Sequence, residues 1–132
     1  MNENIEINFG SKIQQLIIPF GLPNMNDIIA LSKVKIGRGT LYDKKKKQIT
    51  EKIIKLIINQ KLLPMESIKI TFHWQEKNRR RDPDNFSAGK KFILDGLVKA
   101  GIIENDGWKN IKGFSDQWVT GNPGCICILE EV

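Results

Sequence analysis

Two aspartates separated by one proline are the residues of this sequence best suited to chemistry. Asp82, Pro83 and Asp84 follow a run of three arginines and precede Asn85. Pro83 fixes its own φ and favours an extended Asp82, so both carboxylates are predicted to project from one side of the backbone, with Cα atoms about 6.5 Å apart. Carboxylates held this way repel each other unless a cation lies between them, and their oxygens suit Mg²⁺.

The arginine run supplies groups that bind phosphate. The planar guanidinium groups of Arg79, Arg80 and Arg81 can each hold two phosphate oxygens. A site that combines carboxylates for a metal ion with guanidinium groups for phosphate suits phosphodiester chemistry. We therefore expect this segment to form a magnesium-dependent active site.

A third carboxylate is expected from Asp106. A helix from Asn85 to Ala100 would rise by about 22 Å, and the chain from Ala100 to Asp106 can return by about 21 Å at most. The three carboxylates can therefore meet if the helix begins late, near Ser87 to Gly89. Asp95 falls in the middle of this helix and is expected to support the site from the helix side rather than to bind metal directly.

Simpler roles also fit the Asp-Pro-Asp-Asn segment. Such a segment is often only a turn followed by a helix cap. A calcium loop of the EF-hand type is excluded, because its fifth, sixth and twelfth positions would be Phe86, Ser87 and Ile93. Sugar-nucleotide transferases also bind metal through Asp-x-Asp, but a basic chain of 132 residues leaves little room for their donor-binding domain.

The composition predicts one basic globular domain, residues 1–132. The chain is 40% apolar and long enough to bury a single core. With 21 Lys and Arg against 15 Asp and Glu, its net charge is +6. This charge favours a polyanionic partner such as nucleic acid, although charge alone discriminates weakly.

Further lysines and the tryptophans are weaker candidates for nucleic-acid contacts. A predicted basic loop from Lys33 to Lys47 contains four consecutive lysines: Lys44, Lys45, Lys46 and Lys47. Solvent exposure is a commoner role for such a loop than DNA contact. The indole rings could stack on bases, although packing in the core or at its rim is the commoner role for each: Trp74, Trp108 and Trp118.

The cysteines and the N-terminus exclude other classes of protein. Cys125 and Cys127 share one face of a predicted strand, and the single histidine, His73, leaves too few ligands for structural zinc. His73 itself is predicted to lie on a strand face rather than to act as a general base. No apolar run approaches the roughly 20 residues that cross a bilayer, and the N-terminus lacks the apolar segment of a signal peptide. A soluble cytoplasmic protein is expected.

Hydrophobic periodicity predicts an α+β fold. The expected helices are one from Asn24 or Asn26 through Ser32, one around Ile53–Ile58 that ends near Leu63, and one capped by Asn85 or Ser87 that stops at Gly101. The expected strands are Ile5–Phe9, Lys12–Pro19, Ser67–Trp74, Asn110–Val119 and Gly124–Glu130. The last two are predicted to form a C-terminal hairpin through Thr120–Pro123, within a mixed sheet on which the helices pack.

Five short motifs follow one another between residues 81 and 106. They are Arg81-Asp82-Pro83-Asp84-Asn85, Lys90-Lys91, Leu94-Asp95-Gly96-Leu97, Ala100-Gly101-Ile102-Ile103 and Asn105-Asp106. This ordered set resembles the RusA family of Holliday-junction resolvases, which are common in bacteriophages and prophages. Weaker agreement extends to the strand before Pro23-Asn24, the basic segment after it and the last two strands.

The resemblance implies a homodimeric endonuclease of DNA recombination and repair, in the cytoplasm of a bacterial or phage-infected cell. Such an enzyme binds a four-way DNA junction and nicks two strands symmetrically with Mg²⁺, for which Mn²⁺ can substitute. The family's catalytic aspartates fall on Asp82, Asp84 and Asp106. Its lysine falls on Lys91, but a longer interval before Asp95 leaves Lys90 as an alternative.

Other functions stay open at this point. A DNA-binding module without activity would use the aspartates only as caps and turns. A nuclease for other branched DNA, or for RNA, would share the same chemistry. An acidic residue is frequent in the family at the position of Asn105, so a fourth carboxylate would have to come from Glu104.

Overall fold

The structure is a computed structural model that describes residues 12–132, so the predicted strand Ile5–Phe9 lies outside the described part. In chain order the elements are β1 (Ile13–Ile18), α1 (Met25–Ser32), β2 (Lys35–Ile36), β3 (Gly39–Thr40), α2 (Leu41–Asn59), β4 (Ile68–Glu76), α3 (Pro83–Phe86), α4 (Lys90–Lys99), β5 (Ile111–Thr120) and β6 (Gly124–Glu131). A short 3₁₀ turn, Ser87–Gly89, joins α3 to α4. No helix in this part of the chain is long and apolar enough to cross a membrane.

The main sheet is mixed, as predicted, and has the strand order β1-β6-β4-β5. β4 runs parallel to β5 and antiparallel to β6, and β6 is also antiparallel to β1. The predicted C-terminal hairpin is wrong, because β4 lies between β5 and β6. Every second residue of β4 is apolar and buried along most of its length, which favours a central position in the sheet. Each of the last two strands therefore pairs with β4 and not with the other.

The helices cover one face of this sheet. The core face of β4 carries Ile68, Ile70, Phe72 and Trp74, and it packs in one cluster with apolar residues of α2 and α4: Ile49, Ile53, Ile57, Phe92, Ile93 and Leu97. The other face carries the half-buried His73 beside Ile126, as predicted for His73. None of the described helices covers this second face, on which Ile13 and Ile17 of β1 are exposed.

The predicted basic loop from Lys33 to Lys47 is wrong in its second half. α2 begins at Leu41, because Thr40 and Asp43 form a reciprocal cap in which each side chain accepts the backbone N–H of the other. Lysine is a good helix former, so the lysines at 44–47 extend the helix instead of breaking it. The end of α2 at Asn59 also precedes the predicted end near Leu63.

Asparagine side chains act at helix starts, though not always where predicted. Asn24 caps α1 by accepting the N–H of Asp27 at 2.9 Å, as expected. α4 has no side-chain cap, so the prediction of Asn85 or Ser87 as its cap is wrong. The Asn85 amide oxygen instead accepts the N–H of Asn26 in the first turn of α1, at 3.1 Å, which ties α3 to α1.

Gly96 sets the distance between α2 and α4. A Cβ added at Gly96 would collide with the side chain of Ile53, which is fully buried on α2. We expect Gly96→Ala to lower the free energy of unfolding by up to about 2 kcal/mol, since overpacking outweighs the gain in helix propensity. Urea unfolding measures this change.

Gly113→Ala is the matched control, because its added Cβ would make ordinary contact with the Lys69 side chain at 3.7 Å. Its free energy of unfolding is expected to stay the same or rise. An unchanged or higher value for Gly96→Ala would contradict the close approach of the two helices.

Candidate active site and adjoining cleft

Asp82 and Asp84 lie at the start of α3. Asp82 is extended, with φ −74° and ψ 153°, and Pro83 is the first helical residue. The prediction of one extended backbone through both aspartates therefore holds for Asp82 only, because proline is also favoured at the first position of a helix. Both carboxylates are exposed, and neither forms an ion pair with any residue of the described range 12–132.

Asp106 returns to the first turn of α4, where it meets Lys91. The Lys91 ammonium lies 3.4 Å from Asp106 Oδ2 and 3.1 Å from Asp95 Oδ1. α4 begins at Lys90, so the late start that this return requires is confirmed. Lys46 of α2 completes the group, with its ammonium 3.4 Å from Asp95 Oδ2. We call these four residues the Lys91 cluster.

Asp95 is the most enclosed member of the Lys91 cluster. Its side chain is largely buried, and within the described residues Oδ2 accepts no hydrogen bond although Lys46 lies close to it. A buried carboxylate needs compensating positive charge, so Asp95 holds both lysine ammonium groups near itself. Its hydrogen bond to Lys91, with further contributions from its charge and from Asp106, raises the pKa of Lys91 above 10.5. Lys91 is therefore a cation at neutral pH rather than a proton acceptor.

Lys90 has a different environment from its neighbour Lys91. Its ammonium lies 3.0 Å from Asp116 Oδ2 and close to two aromatic rings, 5.0 Å from the centroid of Phe72 and 4.5 Å from that of Phe114. Asp116 Oδ1 also accepts the indole N–H of Trp74 at 2.9 Å. The Lys90 side chain is 21% exposed, against 52% for Lys91. Lys90 thus joins α4 to the sheet, whereas Lys91 meets solvent beside Asp106.

In the described part of the chain, the three predicted metal ligands do not come together as one group. Within residues 12–132, no three His, Cys, Asp or Glu side chains lie close enough together to hold a metal ion. Asp82 and Asp84 have the oxygen donors that Mg²⁺ prefers, and neither carboxylate is paired with a lysine or arginine side chain of the described residues. Asp106 is paired with Lys91 instead. The donor types therefore fit a magnesium ion, with Asp82 and Asp84 as the accessible pair.

A cleft of about 430 Å³ lies where β4 and β5 end. Glu76, at the end of β4, and Val119 and Thr120, at the end of β5, form one part of it. The remaining lining residues come from the loop after β4, from α3 and from β5: Asn78, Arg79, Arg81, Asp82, Pro83, Phe86 and Trp118. We call this the β4–β5 cleft. A smaller hollow beside it contains Lys77, Arg80 and Arg81, so the predicted arginine run is divided between two neighbouring depressions.

The lysines at 44–47 do not act as one group. Lys44, Lys45 and Lys47 are exposed on α2, whereas Lys46 is half-buried against Asp95. One of the four predicted DNA contacts therefore reaches the Lys91 cluster, and the other three form a charged helix surface.

Asp116 and Glu76 were not identified from the sequence. Asp116 alternates with Phe114 and Trp118 on the face of β5 that packs against the helices. The sequence does contain one signal for Asp116: it is a single carboxylate among alternating apolar residues. A partly buried charge of this kind requires a partner of opposite charge. Glu76 ends the predicted strand and carried no comparable signal.

A scan of the chain against protein-family models and a search of the curated proteins found no match.

The two neighbouring lysines are expected to differ in their effect on stability. Lys90→Ala removes the partner of Asp116 and the ring contacts, and should lower the free energy of unfolding by about 1–3 kcal/mol. Lys91→Ala removes two ion pairs of a more exposed ammonium and leaves Lys46 beside Asp95, so it should cost about 1 kcal/mol or less. Urea unfolding of the two variants measures the difference, and equal losses would contradict the separation of roles.

Glu76 is expected to make stability depend on pH. Burial raises the pKa of its carboxyl above 4.5, while the charge of Arg81 opposes the rise. Its contribution to stability is therefore complete below pH 4.5 and is lost as pH rises through the folded-state pKa. Glu76→Gln should stabilise the protein relative to wild type at neutral pH and not below pH 4.5.

Thermal unfolding across this pH range measures the effect. Glu104→Gln is the control, because its side chain is 79% exposed. Its unfolding temperature should match that of wild type at every pH tested. A stability gain from Glu76→Gln that is the same at both ends of the range would refute the raised pKa.

Proposed function

We propose that this protein is a magnesium-dependent endonuclease that cuts branched DNA, with the four-way Holliday junction as its substrate in recombination and repair. The contact of Lys91 with both Asp95 and Asp106 carries the proposal. It brings the acidic turn after α4 back to the first turn of that helix, shortly after Asp82 and Asp84 in the chain. Residues 82–106 thereby supply both the acidic side chains and one cation, Lys91, whose position is fixed by two carboxylates.

Each part of this segment has a role in phosphodiester cleavage. Lys91, kept charged and oriented by Asp95, would neutralise the phosphate as negative charge develops on it. Arg79 and Arg81 in the β4–β5 cleft would bind the flanking phosphates. Lys90 is excluded from direct contact in this proposal because Asp116 and two aromatic rings enclose its ammonium. Its role is to fix the start of α4.

The carboxylates proposed to hold Mg²⁺ are Asp82, Asp84 and Asp106. When bound there, the ion would lower the pKa of a water molecule and offset charge on the phosphate. Asp82 and Asp84 support this assignment through their exposure and through the absence of an ion pair with any described residue. Mn²⁺ has similar preferences and is expected to substitute.

Homodimerisation is part of the proposal, because a four-way junction has approximate twofold symmetry and its resolution requires two matched cuts. The uncovered sheet face supports it. The exposed Ile17 lies there directly opposite Ile126 of β6, and Ile128 and the exposed Ile13 lie on the same face, opposite Gln15 and Glu130 respectively. The exposed lysines of α2 would add phosphate contacts that weaken with salt.

A DNA-binding protein without nuclease activity is the second candidate. The separation of the carboxylates favours it, since no three of the described acidic side chains form a metal-binding group. In this alternative Asp82 and Asp84 only begin α3, and the basic residues account for all binding.

Asp82→Asn distinguishes the two functions. Labelled junction, fork, duplex and hairpin DNA are incubated with protein and Mg²⁺, and cleavage and gel-shift binding are both measured. Wild-type protein is expected to cut the junction symmetrically. Asp82→Asn should bind the junction as wild type does but cut it at least about a hundredfold more slowly, because one metal ligand is lost.

Glu66→Gln is the matched control, because the exposed Glu66 lies just before the start of β4, at the opposite end of that strand from the β4–β5 cleft. It should cut at the wild-type rate. Wild-type cleavage by Asp82→Asn would refute the metal centre, and binding without any cleavage by wild-type protein would favour the second candidate. A preference for plain duplex would exclude junction resolution.

A further inference from the structure

We propose that the β4–β5 cleft binds an unpaired nucleotide of the DNA substrate, with Trp118 stacked on its base and Arg79 and Arg81 on its phosphates. This inference rests on the proposed function for the identity of the nucleic acid. It adds a specific contact that the aspartates and lysines of the active site do not supply.

Trp118 is an exposed aromatic residue held in a fixed position. Its side chain lies in the wall of the cleft and is 55% exposed. Phe86 meets it in an edge arrangement, with ring centroids 6.3 Å apart. The two ring planes are 65° apart, so Phe86 does not stack flat on the indole, and the exposed part of the indole is open for a base to stack on.

Buried aromatic rings anchor this platform. Phe86 lies 6.1 Å from the ring of Trp74, which stacks on Phe72 at 5.5 Å. Phe72, Trp74 and Phe86 are all buried, so the position of Trp118 is set by the core of the domain. A platform that is already ordered loses little conformational entropy when a base stacks on it.

The charges around Trp118 suit a nucleotide rather than an uncharged aromatic ligand. Arg79 and Arg81 line the cleft, and Lys77 and Arg80 lie in the adjoining hollow. Two carboxylates, Glu76 and Asp82, also line the cleft. The cations of the two depressions outnumber these acids, and Asp82 is a proposed ligand of Mg²⁺, which would offset its charge.

The size of the cleft and the chemistry of stacking select an unpaired nucleotide. Its volume of about 430 Å³ lies in the range of sites for small organic ligands, about 300–1,000 Å³. In a continuous duplex both faces of a base are covered by its neighbours, so stacking on Trp118 needs a base that has left the helix. A branch point interrupts the stacking of the arms, which lowers the cost of freeing such a base, and Asp82 in the same cleft places the adjoining phosphodiester at the proposed active site.

The experiment measures binding without cleavage. A short, labelled single-stranded oligothymidylate and the 132-residue protein are mixed in EDTA at increasing ratios, and binding is followed by fluorescence anisotropy and by quenching of tryptophan emission. Trp118→Ala is expected to weaken binding by about tenfold or more, because stacking on an aromatic side chain contributes substantially to each contact. Trp118→Phe, which keeps an aromatic face, should restore most of the affinity.

Trp108→Ala is the matched control, because Trp108 is 95% exposed and lies outside the cleft. It should bind within about twofold of wild type. In a Trp108→Phe background, quenching of the remaining exposed tryptophan should track the anisotropy. Trp118→Ala should unfold at a somewhat lower temperature than wild type, since it loses the contact with Phe86, and should still be folded at the temperature of the titration.

Several outcomes would overturn the inference. They are equal binding by Trp118→Ala and wild type, equal losses from Trp118→Ala and Trp108→Ala, and a mononucleotide that binds as tightly as the oligonucleotide. Tighter binding of oligouridylate than of oligothymidylate would overturn the assignment to DNA.

The inference and the proposed function can fail separately. If Asp82→Asn abolishes junction cleavage while Trp118→Ala binds normally, the nuclease proposal stands and the cleft inference fails. If wild-type protein cuts none of the DNA substrates while binding still depends on Trp118, the cleft inference stands and the nuclease proposal fails.

Discussion

The contact of Lys90 with Asp116 joins the two layers of this domain. The Lys90 ammonium lies between Phe72 of the central strand and Phe114 of the edge strand, and the paired carboxylate is held from its other side by the indole of Trp74. A charge pair in this partly enclosed place is stabilised by the ring faces and by the second hydrogen bond. It fixes the first turn of α4 on the sheet, and the position of Lys91 depends on that turn.

Successive residues of a helix point in directions about 100° apart, so adjacent lysines can serve different purposes. With Lys90 directed to the sheet, Lys91 points towards Asp95 one turn later and towards Asp106 in the returning chain. Gly96 lets α2 approach closely enough for Lys46 to reach the same carboxylate. The charged cluster is thus a consequence of how tightly the two helices pack.

Local sequence signals predicted much of the fold. The cap of α1 at Asn24, the end of α4 at Gly101 and the apolar alternation of β4 are all properties of a few adjacent residues, and the structure confirms them. The predicted hairpin of β5 and β6 is wrong because both strands pair with β4. Strand pairing depends on distant parts of the chain and not only on the turn between two strands. The predicted loop over the lysines at 44–47 is wrong because Thr40 and Asp43 form a capping pair that starts α2 at Leu41.

The candidate site, like the fold, was predictable from the sequence only where it depends on neighbouring residues. The acidic pair and the return of Asp106 follow from spacing along the chain, whereas the partner of Lys90 lies on a strand 26 residues away. The cleft depends on local spacing and on strand pairing together. β4 and β5 are parallel, so their carboxyl ends meet at one edge of the sheet. Had the last two strands formed a hairpin, Trp118 would not have been placed beside the loop that carries the arginines. The parallel pairing of β4 with β5 therefore places the exposed Trp118, Arg79, Arg81 and Asp82 in one cleft.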